Sequence, residues 1–387
     1  MYAIATPESV DFRSMPTLRR GASQARISAG PGRPEVLLDS DSPYGSRRVL
    51  VECDGTTTAA YMHDAEGAIA ATWIANHGPA PEVVDLAALS AGRPPQMPAD
   101  HTKFPQGSAT LDPESLRAVW LEEGDGVVIL EHDEPLAVIP GWSDMSTGMP
   151  GYARDIIGQT PFGWSLDQAM EGLGPRLSEA GRFWRWRNDP SNWASFRQAV
   201  FGHLLSRLGP GGKYWDVSGG KPPLVGVSER PPTAQRPYTV LSTVGMSAQR
   251  MPAIEQAGDR AGPTRIELAL ATTMPSAEAA RIFLWLAQYP WREVTWLGAG
   301  HSIPWYHEPS TFPLGGGNAA ILLLDDPGQL IGPDVPVLDG FSMAGGPVRW
   351  LWIVPISERE RLLAANRGSV SLITHLAAQR RSWVSGD

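Results

Sequence analysis

The sequence predicts an α+β protein: a C-terminal mixed sheet with packed helices, preceded by a mainly β N-terminal module. Three observations lead to this prediction. Short apolar runs alternate with Asp-Gly and Glu-Gly turns in the first 140 or so residues, helical spacing follows up to about residue 209, and strands then alternate with helices. At 387 residues the chain is too long for one ordinary core, so we expect two domains, or one large domain with an appended module.

Four segments are predicted along the chain. They are a loop-rich leader over 1–45, a β-rich module over 46–150, a helical segment with a Gly/Pro-rich connection over 151–236, and an α+β domain over 237–387. The leader is predicted because its residues are rich in Gly, Pro, Ser and Asp and show weak periodicity.

Hairpins are predicted in the N-terminal module. The runs "RRVLVECDG", "TTAAYMHD" and "GAIAATWIANHG" are short, apolar and separated by turn dipeptides. The later run "LRAVWLEEGDGVVILEHDEPLAVIPGW" predicts two or three more strands.

A long helix is predicted in "DPSNWASFRQAVFGHLLSRLGPGG". Asp189 and Pro190 form a typical helix start, and Gly209 with Pro210 forms a typical stop. His203 lies beside the apolar stripe of this helix, which favours a partly buried histidine over a catalytic one.

The last 150 residues carry the clearest pattern. Strands are predicted in "RPYTVLSTVGMS", "TRIELALATTM", "NAAILLLDD" and "VRWLWIVPI", and one helix in "MPSAEAARIFLWLAQYPW". A final helix is predicted in "SERERLLAANRG", with Ser357 as N-cap, Glu360 as its capping-box partner and Gly368 just past the end.

Composition limits the classes of partner. Lys and Arg total 32 against 41 Asp and Glu, a net charge of −9, and the arginines are scattered, which argues against a nucleic-acid partner. No apolar run is long enough for a membrane span, and no secretory signal is recognised, so a cytoplasmic location is expected. The single Cys53 excludes an internal disulfide and a multi-cysteine metal site.

Motifs for catalysis are weak. Ser247 and Ser302 do not occupy a G-x-S-x-G elbow, and His301 and His307 are separated by six positions with a proline between them. We therefore predict no enzyme activity, no cofactor and no metal. Two alternatives stay open: an enzyme with an unrecognised site in the N-terminal half, and a scaffold without a dedicated ligand.

Tryptophans divide into two predicted groups. Trp285, Trp291, Trp296, Trp350 and Trp352 lie within regular elements, so a core position is predicted for them. A second group lies in loops and is a candidate recognition surface: Trp142, Trp164, Trp215 and Trp305.

The C-terminal landmarks resemble the suppressor of fused family, and bacterial members in particular. They occur in the family's order over 237–376: "YTVLSTVGMS", "IELALAT", "AARIFLWLAQYPW", "WLGAGHSIPW", "AAILLLDDP" and "VRWLWIVPISERERLLAANRGSVSLI". The runs "VWLEEGDGVVILEHDEPLAVIPGW" and "GYARDIIGQTPFGW" resemble a module that precedes this domain in some bacterial members.

The resemblance implies a non-enzymatic binding function. Animal members add a short segment of a transcription factor as an extra strand, and bacterial relatives occur among proteins proposed to be immunity factors of polymorphic toxin systems. We therefore expect a protein or peptide partner, with a toxin as one candidate. The hypothesised groove is lined by "VLSTVGMS", "RIELALA" and the strand through His301, and the candidate partner-binding residues are Arg265, Glu267, His301 and Trp305.

Overall fold

The computed structural model describes residues 34–254, 264–305, 307–344 and 346–386 of the chain. Contacts divide the chain into two compact units, Met1–Asp189 and Pro190–Asp387. This division falls inside the predicted segment 151–236, in its helical part before the Gly/Pro-rich connection. The predicted α+β class is confirmed, while the four predicted segment boundaries stay predictions.

The first unit is built on two sheets. A four-stranded antiparallel meander, in the order β1-β2-β3-β4, consists of β1 (Glu35–Asp41), β2 (Arg48–Cys53), β3 (Thr57–His63) and β4 (Ala68–Asn76). The six-stranded sheet has the order β5-β6-β7-β8-β10-β9 and consists of β5 (Leu116–Trp120), β6 (Val127–Glu131), β7 (Glu134–Ile139), β8 (Tyr152–Ala153), β9 (Gln159–Thr160) and β10 (Gly163–Ser165). Alternation along β2, where every second residue is buried, matches the period of a strand with one buried face. The hairpins predicted from the turn dipeptides are therefore present.

Strand β1 lies inside the segment that the sequence predicts as a leader of loops. Its residues Leu37 and Leu38 are buried, and β1 pairs antiparallel with β2. The flanking Gly, Pro and Ser residues give this segment a composition typical of loops, although it contains a short apolar run. Pairing with β2 makes that run a strand. The rest of the predicted leader, up to residue 33, lies outside the described residues.

The second unit is built on an eight-stranded mixed sheet. The path β11-β12-β13-β14-β18-β16-β15 is antiparallel except for the parallel pair β14 and β18, and β17 pairs with β18 off the path. The strands are β11 (Tyr214–Asp216), β12 (Gly226–Arg230), β13 (Thr239–Val244), β14 (Arg265–Thr272), β15 (Ser302–Pro304), β16 (Ala320–Leu324), β17 (Ser342–Met343) and β18 (Gly346–Ile356). All residues of β13, β14 and β16 are buried, so both faces of this part of the sheet are covered.

Helices accompany both units. The first unit contains α1 (Leu86–Ser90) and α2 (Leu166–Asn188), and the second contains α3 (Pro190–Leu208), α4 (Ser276–Ala279), α5 (Phe283–Leu286), α6 (Tyr289–Glu293), α7 (Glu358–Arg367) and α8 (Ser369–Ala378). The predicted start and end of α3 are confirmed, and so is the capping box that opens α7.

The helix predicted over "MPSAEAARIFLWLAQYPW" is interrupted. Between α4 and α5 the residues Ala280–Ile282 form a turn of 3₁₀ helix, and α6 follows as a separate turn. The backbone stays right-handed, because Ala279 and Ile282 both have helical φ and ψ. What changes is the hydrogen-bond pattern, which apolar periodicity does not report.

Candidate functional site

The strand β15 lies at one end of the eight-stranded sheet among the described strands, paired with β16 on one side only. It is three residues long and contains Pro304. A short strand with a proline is a common way to blunt a sheet edge, because proline has no N–H to donate. Ser302 and Pro304 are half-buried, so solvent still reaches this edge.

Alternation along β15 determines which groups face outward. The His301 carbonyl accepts from the Leu323 N–H, and the Trp305 N–H donates to the Ala319 carbonyl, both at 2.9 Å. Neighbouring residues of an antiparallel strand direct their hydrogen-bonding groups to opposite sides. The Ser302 N–H and carbonyl therefore point away from β16.

An open groove of about 550 Å³ lies directly after β15. Its wall is formed by residues 281–292, which run from the 3₁₀ turn through α5 to α6, and by Trp305 and residues 307–313. The lining residues are Arg281, Leu284, Trp285, Arg292, Trp305, His307, Glu308, Thr311 and Pro313. We call this surface the Trp groove.

Trp305 is held in a defined orientation at the centre of the Trp groove. Its indole Nε1 donates to the Thr311 hydroxyl at 3.0 Å, and that hydroxyl donates to the Glu308 carbonyl at 2.7 Å. Its ring packs edge-on against Trp285 at 5.2 Å and against Phe312 at 5.8 Å. Since edge-to-face aromatic pairs stabilise one another, the ring is a rigid half-buried platform.

The charged residues of the Trp groove are unbalanced. Arg281 and Arg292 contribute two positive charges, and Glu308 contributes one negative charge. All three residues are exposed. Within the described part of the chain, neither arginine forms an ion pair. The groove therefore combines aromatic surface with unpaired guanidinium groups.

His301 lies at the other end of β15 and is half-buried. Its ring centroid is 4.3 Å from that of Trp296. Burial lowers the pKa of the His301 imidazole below its ordinary value, and a hydrogen bond with the Trp296 backbone opposes that shift in part. His301 is therefore neutral at pH 7 and offers a polar, uncharged edge.

Arg265 and Glu267 lie elsewhere, inside the sheet on β14. Arg265 is 4% exposed and donates to the Ser247 carbonyl at 3.2 Å. Glu267 has no exposed surface, and its carboxylate accepts hydrogen bonds from the side chain of Thr243, the N–H of Gly245, and the N–H and hydroxyl of Ser247. Partner binding by the four predicted residues stays a prediction. Only His301 and Trp305 of the four are accessible in this structure.

Of the nine lining residues of the Trp groove, only Trp305 was predicted from the sequence as a binding residue. Arg281, Leu284 and Arg292 lie off the apolar stripe of the helical segment, and Leu284 is 54% exposed. The signal in the sequence was Leu284, an apolar residue off the stripe that lies between Arg281 and Arg292. Among the tryptophans predicted to be core, Trp291, Trp350 and Trp352 are buried, whereas Trp285 and Trp296 are half-buried at the surface.

Metal ligands and membrane-spanning helices were sought among the described residues. In the ranges that the structure describes, no three His, Cys, Asp or Glu side chains come together in a way that could hold a metal ion. Likewise, no described helix is both long and apolar enough to cross a membrane.

The second unit is thus an α+β domain on a mixed sheet, with an aromatic groove beside an end strand. Residues 220–385 match the model of the suppressor of fused protein (SUFU) family, so the predicted resemblance is confirmed for this segment. A search of curated proteins found no match.

The solved structures that are similar to part of the chain include the following three. A chain of the Sufu–Fu complex is 15% identical to this chain. The alignment covers 46% of this chain and 82% of that chain, with a TM-score of 0.33. A putative SUFU homologue from Neisseria gonorrhoeae has 17% identity, with coverage of 50% and 94% and a TM-score of 0.34. Drosophila Suppressor of Fused has 15% identity, with 48% of each chain covered and a TM-score of 0.32.

Proposed function

We propose that this protein is a non-enzymatic binding protein that captures a partner protein or peptide at β15 and the adjacent Trp groove. The observation that carries the proposal is the geometry of β15. It ends the described sheet, directs the Ser302 N–H and carbonyl outward, and is flanked by the accessible residues His301 and Trp305. A polypeptide strand can pair with such an edge through its main chain.

The surface chemistry also favours a polypeptide ligand. Recognition surfaces for proteins are enriched in Trp and Arg, and rigid aromatic anchors commonly dominate their binding energy. The Trp groove contains two tryptophans and two arginines in an open surface. The SUFU match supports the same class, because one matched relative is described as the Sufu–Fu complex.

The family resemblance suggests a bacterial toxin as the partner, and binding would then neutralise the toxin. A cytoplasmic location is part of this proposal. An enzyme with a site in the N-terminal half stays an alternative hypothesis.

The test removes the outward N–H of Ser302 and leaves the pairing of β15 with β16 in place. Random peptides are selected by display on the full chain, and the affinity of the selected peptides is measured for Ser302→Pro and Ser302→Ala variants. Only the proline lacks the N–H, so we expect at least about tenfold weaker binding for Ser302→Pro, and little change for Ser302→Ala.

Folding must be separated from binding in this experiment. Amide hydrogen exchange of the unmodified chain provides the second measurement, since a paired strand should slow exchange at Ser302 when peptide is added. Equal affinity of both variants, together with unchanged exchange at Ser302, would contradict strand addition at β15.

A further inference from the structure

Unpaired positive charge in the Trp groove points to the chemistry of the partner. The protein as a whole has a net charge of −9, yet the groove presents Arg281 and Arg292 with Glu308 as the one acidic residue of its lining. Neither arginine has a carboxylate within ion-pairing distance among the described residues. Their charges are available to a ligand.

The groove also has an aromatic part. Trp285 and Trp305 are half-buried, with ring centroids 5.2 Å apart, and Leu284 beside them is 54% exposed. An apolar side chain placed here would be shielded from water on one side by two indole rings. Such mixed surfaces favour ligands that carry an acidic group next to an apolar one.

We propose that the Trp groove binds an acidic segment of the partner. Arg281 and Arg292 hold Asp or Glu side chains of that segment, and a neighbouring apolar or aromatic side chain packs on Trp285 and Trp305. This inference rests on the proposed binding function and specifies the chemistry of the polypeptide that β15 and the groove receive.

Guanidinium groups suit this role. They present several N–H donors in a plane that matches the two oxygens of a carboxylate, and they remain charged at every physiological pH. Because both arginines are solvent-exposed, their attraction for an acidic segment weakens as salt screens it. Acidic recognition therefore predicts salt-dependent affinity.

The experiment determines the amino-acid composition of the peptides that are selected by display on the full chain. We expect the selected peptides to be enriched in Asp and Glu next to Trp, Phe, Tyr or Leu. We also expect at least about tenfold weaker binding by the Arg281→Gln/Arg292→Gln double variant. Synthetic copies with Asn and Gln in place of the acidic residues should lose affinity for the unmodified chain to a similar extent.

A matched control removes the same charge elsewhere. Arg359 and Arg367 are exposed on α7 and do not line the Trp groove, so the Arg359→Gln/Arg367→Gln variant changes the net charge equally. Its affinity should stay within about threefold of the unmodified chain. Equal losses in both double variants would mean that net charge acts at a distance, and would overturn the assignment to the groove.

The outcomes distinguish the two proposals. The acidic groove would be overturned if the selected peptides had no acidic bias, or if the Arg281→Gln/Arg292→Gln variant bound them as tightly as the unmodified chain. If Ser302→Pro still weakened the binding of those peptides, the proposed binding function would stay in place. Peptides insensitive to both changes, or a failure to select any peptide, would overturn both. A single-stranded oligonucleotide that binds with the same dependence on Arg281 and Arg292, and competes with the peptides, would also overturn the acidic segment.

Discussion

The Ser247 hydroxyl donates a hydrogen bond of 2.6 Å to the Glu267 carboxylate, inside the sheet of the second unit. The same carboxylate accepts from the Ser247 N–H at 3.1 Å and from the Gly245 N–H at 3.0 Å. It therefore joins β14 to the turn that follows β13. A buried acidic residue that satisfies three backbone and side-chain donors of one turn holds that turn in a single conformation.

Replacing Glu267 with Gln should destabilise the protein by about 1–3 kcal/mol, because an amide NH₂ group cannot accept the hydrogen bonds that one carboxylate oxygen accepts. Urea unfolding measures the change. Glu293→Gln is the matched control, since Glu293 is exposed on α6, and its effect should be below about 0.5 kcal/mol. Equal stability of the two variants would contradict the structural role of Glu267.

The stability contributed by Glu267 should depend on pH. Burial raises the pKa of the Glu267 carboxyl above its ordinary value near 4.5, with the hydrogen bonds from Ser247 and Thr243 opposing the shift. A raised pKa in the folded state means that the contribution is full below the unfolded pKa and falls as pH rises through the folded pKa. Unfolding of the unmodified chain and of Glu267→Gln at several pH values should show this trend in their difference. A constant difference would contradict it.

His301 should titrate in the opposite sense. Since burial lowers the pKa of its imidazole below 6.5, its contribution to stability is present above pH 6.5 and is lost as pH falls through the lowered pKa. An NMR titration of the imidazole C2 proton should give a midpoint below 6.5. Trp296→Ala exposes the ring but keeps the backbone group of residue 296, and should move the midpoint upward. An unchanged midpoint in this variant would argue against burial by Trp296 as the cause.

The contribution of the α7 capping box to the free energy of unfolding should be measurable. The Ser357 hydroxyl accepts from the Glu360 N–H at 3.3 Å, and the Glu360 carboxylate accepts from the Ser357 N–H at 2.6 Å. Ser357→Ala should cost about 1 kcal/mol in the free energy of unfolding. Ser195→Ala is the control, because the exposed Ser195 hydroxyl donates to the Ser191 carbonyl within α3. Similar costs for both variants would show that capping is not the source.

A methyl group at Gly245 should be poorly tolerated. Gly245 has a φ of +134°, and a Cβ there would lie 2.3 Å from the Leu224 carbonyl oxygen. Gly245→Ala is expected to cost more than about 2 kcal/mol, because backbone strain and a steric clash add together. Gly316→Ala is the control, since nothing lies within 4 Å of its Cβ position. Thermal unfolding of the two variants should separate them clearly, and comparable midpoints would contradict the close approach at Gly245.

Local signals in the sequence account for much of the fold. The turn dipeptides of the first unit, the boundaries of α3 and the capping box at Ser357 are all interactions between residues close in sequence. Strand β1 was missed because its pairing with β2 outweighs a composition typical of loops. The interrupted helix before α6 was missed because side-chain periodicity does not distinguish α from 3₁₀ hydrogen bonding.

The sequence predicted only part of the candidate site. Trp305 was recognised as a loop-borne aromatic residue, and it lies in the Trp groove. Arg265 and Glu267 were proposed as residues of the groove strand "RIELALA", but all eight residues of β14 are buried. Alternation identifies two faces of a strand, and whether the second face meets water depends on what covers it.

By itself, the sequence determined the α+β class, the positions of most strands, the start of α7 and the resemblance to the SUFU family, because these depend on neighbouring residues and on their order. The tertiary structure alone decided that Glu267 is buried, that β15 lies at the end of the described sheet, and that Arg281 and Arg292 meet Trp305 in one groove. These features join side chains that are remote along the chain, and sheet order and packing bring them together.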